Sequence, residues 1–210
     1  MASVKELILA SGSPFRKALL VAAGVPFRVR TAEVDEYAIR ADEPRVQAAQ
    51  RAEAKAMAVA DLEPGALVIG ADQVLSLGAF TFDKAKDRAE AKLRLTQLAG
   101  QVHHLHSAVA LAFKEDATSA ARVVECFVVD CAMPMRALTA AEIDAYLDTG
   151  EWRGCVGCYQ YENRGVHLLQ GVASEHSAII GLPMTPFLQV LRRLGVDVLT
   201  CPRGPWECRL

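Results

Sequence analysis

The stretch LILASGSPFRKALL, Leu7 to Leu20, runs from an apolar segment through Ser-Gly-Ser-Pro into a helical pattern. Leu7 to Ser11 reads as a buried strand. The helix after it takes Ser13 as N-cap, Pro14 as first helical residue and Gly24 as stop, because a serine hydroxyl answers a free first-turn amide and proline has none to lose. A strand feeding directly into a helix is the repeating unit of α/β proteins. The same alternation continues outward. An alanine-rich helix is expected over Arg45 to Ala60, opened by Asp42-Glu43-Pro44 and closed before Glu63-Pro64-Gly65. The β-prone segment LVIGADQVL, Leu67 to Leu75, follows, then a helix from about Lys86 to Leu98 ended by Gly100.

The far half changes character. Two strands, His103 to Phe113 and Val123 to Cys131, are joined by a polar turn from Lys114 to Ala120. Thr139-Ala-Ala-Glu142 is a capping box that starts a helix to Asp148, each side chain satisfying the other's backbone donor. A short strand over Val166 to Leu169 and a helix from about Thr185 to Leu194, stopped by Gly195, complete the order. With no repeat, low-complexity tract or flexible linker, the chain predicts a mixed central sheet flanked by helices. Two lobes around a cleft are expected, about 1–100 and 101–210, sharing one continuous sheet.

The chain has 210 residues, long enough to bury roughly 70% of its unfolded surface without staples. It is 52% hydrophobic and 23% charged with a formal net charge of -2, which fits a globular protein and offers no polyanion-binding surface, so no nucleic-acid partner is expected. No stretch approaches the roughly 18 apolar residues of a membrane span, and a cytoplasmic location without a membrane partner is the expectation. Six cysteines are too few for a disulfide scaffold in a chain this long. Cys155-Val-Gly-Cys158 lacks the second pair that would complete a zinc site, so small buried thiols are expected there. His103 and His104 lie in a strand pattern and point to opposite faces, which disfavours chelation of one ion.

Several residue types together point to phosphate chemistry. A helix N-terminus with Ser11, Ser13 and Arg16 beside it combines hydroxyls, amides and a forked cation suited to an anion, although a plain cap and a surface arginine would look the same. Asp72 follows Ile-Gly-Ala at the end of an apolar strand, where α/β sheets place ligands. A carboxylate there needs a cation or donors, and a divalent metal bridging one or two carboxylates to phosphate oxygens would serve. Asp35-Glu36 is the second acidic candidate, and Lys55 and Lys84 are the remaining cations. Each alone reads equally as a solvated charge; the conjunction of metal site, clamp and positioned water is what phosphoryl chemistry requires.

In register along nearly the whole chain, these residues resemble the Maf family of nucleotide pyrophosphatases. The resemblance rests on Ser11, Ser13, Pro14, Phe15 and Arg16, then Val34-Asp35-Glu36, Lys55-Ala56, Ile69 to Asp72 and Lys84. In the far half it rests on Val156-Gly157, Glu162 and Ile180-Gly181-Leu182-Pro183. It implies a Maf/ITPase-like fold and hydrolysis of a nucleoside triphosphate to the monophosphate and pyrophosphate, assisted by Mg²⁺ or Mn²⁺, with Co²⁺ a further candidate. A housecleaning role toward modified nucleotides and a homodimer are also implied, and some members are linked to septum formation. Glu36 and Asp72 would hold the metal or activate water, with Asp72 as general base. Arg16, Lys55 and Lys84 would stabilise charge on the phosphates.

Three positions bear on the substrate by the same resemblance. Members acting on dTTP and UTP have a second Arg where Phe15 stands, Thr where Gln73 stands and Gln where Glu162 aligns; this chain resembles the 7-methyl-GTP subgroup instead. The chemistry agrees, since an aromatic face attracts the cationic 7-methylguanine ring by up to about 2 kcal/mol when desolvated. A carboxylate can also accept from guanine N1–H and the exocyclic amine together. Packing against the second lobe is the other reading of Phe15. A dTTP/UTP pyrophosphatase and a non-catalytic nucleotide-binding regulator of septum formation are the alternatives. Asn163 replaces the family's glycine after Glu162, and the tail from Cys201 to Leu210 has no family counterpart.

Overall fold

The computed structural model of the chain describes residues 2–201, 203–208 and 210. Met1, where the first expected lobe begins, and Pro202 and Arg209 of the tail lie outside the described residues. The central sheet has six strands: β2 (Glu6–Leu9), β3 (Arg28–Val29), β4 (Ala66–Leu77), β5 (Phe80–Phe82), β6 (Val102–Phe113) and β7 (Arg122–Pro134). Their order is β3-β2-β4-β6-β7, with β5 paired to the far end of β4. β2 runs parallel to β3 and β4, while β4–β5, β4–β6 and β6–β7 are antiparallel. The expected mixed sheet is therefore present, and β4 is its hinge between parallel and antiparallel halves.

Helices cover both faces. On one, α2 (Pro44–Ala60) lays Ala48, Ala52, Ala56 and Val59 against Ile8, Val68, Val74 and the alanines of β6. On the other, α1 (Pro14–Ala22) and α6 (Met184–Leu194) pack Leu20, Phe187 and Leu191 on Leu7, Leu9, Ile69 and Leu111. A third apolar cluster joins α3 (Arg88–Leu98) and α4 (Ala140–Asp148) to the far ends of β4, β6 and β7. The small residues of α2 let it approach the sheet closely. At Gly70 a Cβ would lie 2.1 Å from the Ala52 carbonyl oxygen and 2.7 Å from the Ala56 nitrogen, so only glycine fits.

Caps fall where the sequence places them: Ser13 Oγ accepts from Arg16 N, and the Thr139–Glu142 box is complete. Asp87 accepts from Glu90 N, which starts α3 two residues after the expected Lys86. The expected strand over Val166 to Leu169 is corrected to a 3₁₀ helix, Arg164–Leu168, leaving only a bridge from Leu169 to Met135. Gly165 explains the difference. Its amide donates to the Gln160 carbonyl at 3.0 Å, and the local turn takes the backbone group a sheet ladder would have used. The sequence reading misses the short strands β3 and β5, the helix α5 (His176–Ile180), and a two-stranded sheet in which the tail strand β8 (Trp206–Cys208) runs antiparallel to β1 (Ala2–Val4). Among the described residues no helix is long and apolar enough to cross a membrane.

Candidate active site

A cleft of about 670 Å³ opens beyond the C-terminal end of β2, beside the middle of β4, and all ten sequence-predicted site residues line it. Ser11, Ser13, Phe15 and Arg16 come from the β2–α1 turn, and Glu36 from the loop between β3 and α2. Lys55 comes from α2, Asp72 and Gln73 from β4, Lys84 from the segment after β5, and Glu162 from the loop after α4. Residues separated by as much as 151 positions in sequence thus meet at one cleft, from Ser11 to Glu162.

At its floor, Lys55 Nζ lies 2.7 Å from Asp72 Oδ1 and 2.9 Å from Glu36 Oε2. Asp72 is 4% exposed and Lys55 7%, whereas Glu36 is half-exposed at the cleft edge. Asp72 Oδ2 is sealed from solvent with no hydrogen-bond partner among the described residues. A buried carboxylate oxygen left unmatched costs free energy, and a divalent cation is the kind of partner that would match it. The donor set fits such an ion: two carboxylates from different elements share one lysine and face a cleft. Both members of the acidic pair line the cleft, but Glu36 is the one paired with Lys55; Asp35 Oδ1 accepts from the amides of Tyr37 and Ala38 and shapes the loop.

The β2–α1 turn holds Arg16 rather than offering a row of free amides. Pro14 has no N–H, Ser13 Oγ takes the Arg16 amide, and Phe15 N–H remains as the first-turn amide without a partner among the described residues. Arg16 Nη1 donates to Ser11 Oγ at 3.1 Å and Nε to the Gly181 carbonyl at 2.9 Å. Burial pulls the Arg16 pKa down, while Asp72 and Glu36 push it back up, and an arginine so placed stays charged at neutral pH. Gly181, left-handed at φ 112°, closes α5 directly beside this guanidinium.

Gln73 is anchored to the same turn. Its Nε2 lies within 3.1 Å of Ser107 Oγ and the carbonyls of Ala178 and Ile179, so the atom it can still offer a ligand is the acceptor Oε1. The opposite wall is held by Arg94, whose Nη1 donates at 2.7 Å to the carbonyls of both Asp83 and Val156. That bond ties the segment carrying Lys84 to the loop carrying Glu162. Tyr146 accepts from Gln160 N, and Tyr159 pairs with the buried His103 at 2.7 Å, fixing the same loop from below. Lys84 and Glu162 themselves are exposed, and Phe15 is half-buried at the mouth.

Of the two thiols of Cys155-Val-Gly-Cys158, Cys158 is buried and Cys155 half-buried. Burial pushes the Cys155 thiol up to about 12 and raises that of Cys158, which makes both poor nucleophiles and metal ligands. His103 is buried against Tyr159 while His104 and His106 stack on the other face, and among the described residues no three His, Cys, Asp or Glu side chains gather around one point. Residues missed by sequence reasoning include Tyr161 and Arg153, on the Glu162 side, and Arg51, one turn before Lys55 on the inward face of α2. The Arg51–Lys55 spacing of four was the available signal, since it places two cations on one helix face.

A model of the family described as Maf-like protein matches residues 6–194. A nucleoside triphosphate pyrophosphatase of Rhodopseudomonas palustris strain BisB18 is 44% identical over 201 residues, covering 90% of this chain and 94% of its own. A protein of the same name from Bradyrhizobium diazoefficiens is 42% identical over 192 residues, covering 89% and 92%. A 7-methyl-GTP pyrophosphatase of Rhizobium meliloti is 41% identical over 197 residues, covering 90% and 96%. The chain belongs to the Maf family, and the relatives it resembles are named nucleoside triphosphate pyrophosphatase or 7-methyl-GTP pyrophosphatase.

Proposed function

We propose that this Maf-family chain is a nucleoside triphosphate pyrophosphatase that prefers 7-methyl-GTP, releasing the monophosphate and pyrophosphate. The observation that carries the chemistry is the unmatched Asp72 Oδ2 beside the Glu36–Lys55–Asp72 group at the cleft floor. Asp72 and Glu36 would hold a divalent cation, Mg²⁺ or Mn²⁺ with Co²⁺ a further candidate. Such an ion neutralises phosphate charge and acidifies water when bound. In the reaction, a water oxygen attacks the α-phosphorus, the bond from that phosphorus to the bridging oxygen breaks, and pyrophosphate leaves with the bond's electron pair. Asp72 serves as the general base that takes the water's proton. Lys55 fixes both carboxylates, and the free Nη2 of Arg16, with Lys84, meets charge on the phosphoryl oxygens.

Residues before about Gly100 then grip the phosphates, and the chain beyond reaches the nucleobase of the substrate through Glu162. The preference for a methylated guanine is supported by Phe15 at the cleft mouth and by a carboxylate, Glu162, on the base side. The relatives' names divide between the general and the 7-methyl-GTP activity, in keeping with this reading. A panel of nucleoside triphosphates assayed for pyrophosphate release with each metal tests it. Turnover of 7-methyl-GTP ahead of UTP and dTTP is expected; the reverse order overturns the preference. Asp72→Asn should lose on the order of 10²–10³ in turnover, as for loss of a preorganised catalytic group, and full activity in that variant overturns the mechanism.

A further inference from the structure

We infer that Arg51 is an additional polyphosphate-binding cation of this cleft, reaching phosphoryl oxygens beyond the one under attack. Arg51 lines the cleft yet is only 6% exposed. Of its five N–H donors, the one on Nε donates to the Ile39 carbonyl at 3.2 Å, and among the described residues its two terminal nitrogens make no hydrogen bond. Nη2 is buried and unmatched. Its nearest carboxylate oxygen, Asp83 Oδ1, stands 3.8 Å away, too far for a hydrogen bond, while Asp83 Oδ2 is engaged by Arg40 at 2.8 Å. Buried arginine donors are normally answered, so an unanswered fork on a cleft wall points to a ligand anion.

The charge balance of the cleft points the same way. Lys55 already faces two carboxylates within 2.9 Å, and Arg16 has spent Nε and Nη1 on Gly181 and Ser11. Apart from the remaining Nη2 of Arg16, a triphosphate therefore draws on cations beyond these two, the exposed Lys84 and the buried Arg51. Arg51 precedes Lys55 by one helical turn, about 6 Å along the axis, so it addresses a different phosphoryl group from the one at Asp72. Its Nε bond to Ile39 also fixes the plane of the guanidinium, which suits paired N–H donation to phosphate oxygens. The inference rests on the phosphate reading of the cleft, but not on hydrolysis or on the base.

Inorganic pyrophosphate with Mg²⁺, followed by calorimetry, is the probe. Arg51→Met should bind it roughly 10- to 100-fold more weakly, the loss expected for charge-assisted hydrogen bonds, and leave nucleoside monophosphate affinity within about twofold. Arg51→Lys, which keeps the charge without the fork and guards against misfolding of the methionine variant, should fall between. Asp83→Asn should bind pyrophosphate as well as the parent. Unchanged pyrophosphate affinity in Arg51→Met, or an Asp83→Asn variant that reproduces its defect, overturns the inference, the latter by showing that Arg51 serves only Asp83. A parent that binds pyrophosphate through Arg51 but hydrolyses no nucleotide would instead overturn the proposed activity and leave this inference standing.

Discussion

Replacing Lys55 by methionine removes the cation that two carboxylates share and keeps the volume of the stem. The Lys55–Asp72 pair has side-chain exposures of 9% and 6%, so solvent screens it poorly, while Glu36 at 44% is largely solvated and adds little. Breaking a buried pair by deleting one partner costs about 3–5 kcal/mol, because the remaining charge stays buried without compensation. In a protein of this size, each kcal/mol moves Tm by about 2–4 °C, so Lys55→Met should melt roughly 6–20 °C lower in metal-free buffer. The double variant Lys55→Met/Asp72→Asn removes the orphaned charge and should regain most of that loss. Urea titration followed by circular dichroism reads both. A single variant destabilised by less than about 1 kcal/mol, or a double variant no more stable than the single, would refute the buried-charge reasoning.

Gly70→Ala must push α2 off the sheet, since the new Cβ would sit 2.1 Å from the Ala52 carbonyl oxygen; overpacking of this kind costs about 1–3 kcal/mol, and turnover should fall with it because α2 carries Lys55. Equal stability and turnover would count against the close-approach argument. Burial pulls His103 down to about 4 from 6.5, so the native state binds fewer protons: the stability present above pH 6.5 should drain away as pH falls toward 4, by about 3 kcal/mol in total. His103→Asn should flatten that acid limb in chemical denaturation, and an unchanged slope would exclude His103 as its source. Glu162→Gln should lower kcat/KM for 7-methyl-GTP relative to UTP by about tenfold or more, as expected when a paired base contact is lost; an unchanged ratio would remove Glu162 from base reading.

Seven of the ten cleft residues were legible from residue chemistry, through Ser-x-Ser-Pro with an arginine, Asp-Glu after a valine, Gly-Ala-Asp at a strand end and two lysines that gain meaning only in conjunction. Phe15, Gln73 and Glu162 were instead named by the family resemblance. The strand–turn–helix at Leu7 to Leu20 and the capping box at Thr139 were legible because caps and periodicity act within a few residues. Val166 to Leu169 was misread because its apolar pattern suits a strand, and nothing local announces that the Gly165 amide turns back to Gln160. The β1–β8 pairing was invisible because it joins opposite ends of the chain.

What the sequence determined by itself was the chemical inventory and the order of the longer elements, which depend on residue type and short-range spacing. Only the tertiary structure decided how that inventory is spent. It set the Asp35 carboxylate on the amides of its own turn and that of Glu36 on Lys55, and committed the Gln73 amide nitrogen to the α5 carbonyls. Among the described residues it also left Asp72 Oδ2 and Arg51 Nη2 buried and unmatched. Hydrogen-bond partners depend on distance in space, and burial sets the cost of lacking one. Neither quantity exists until β4, α2 and the loops around them have packed.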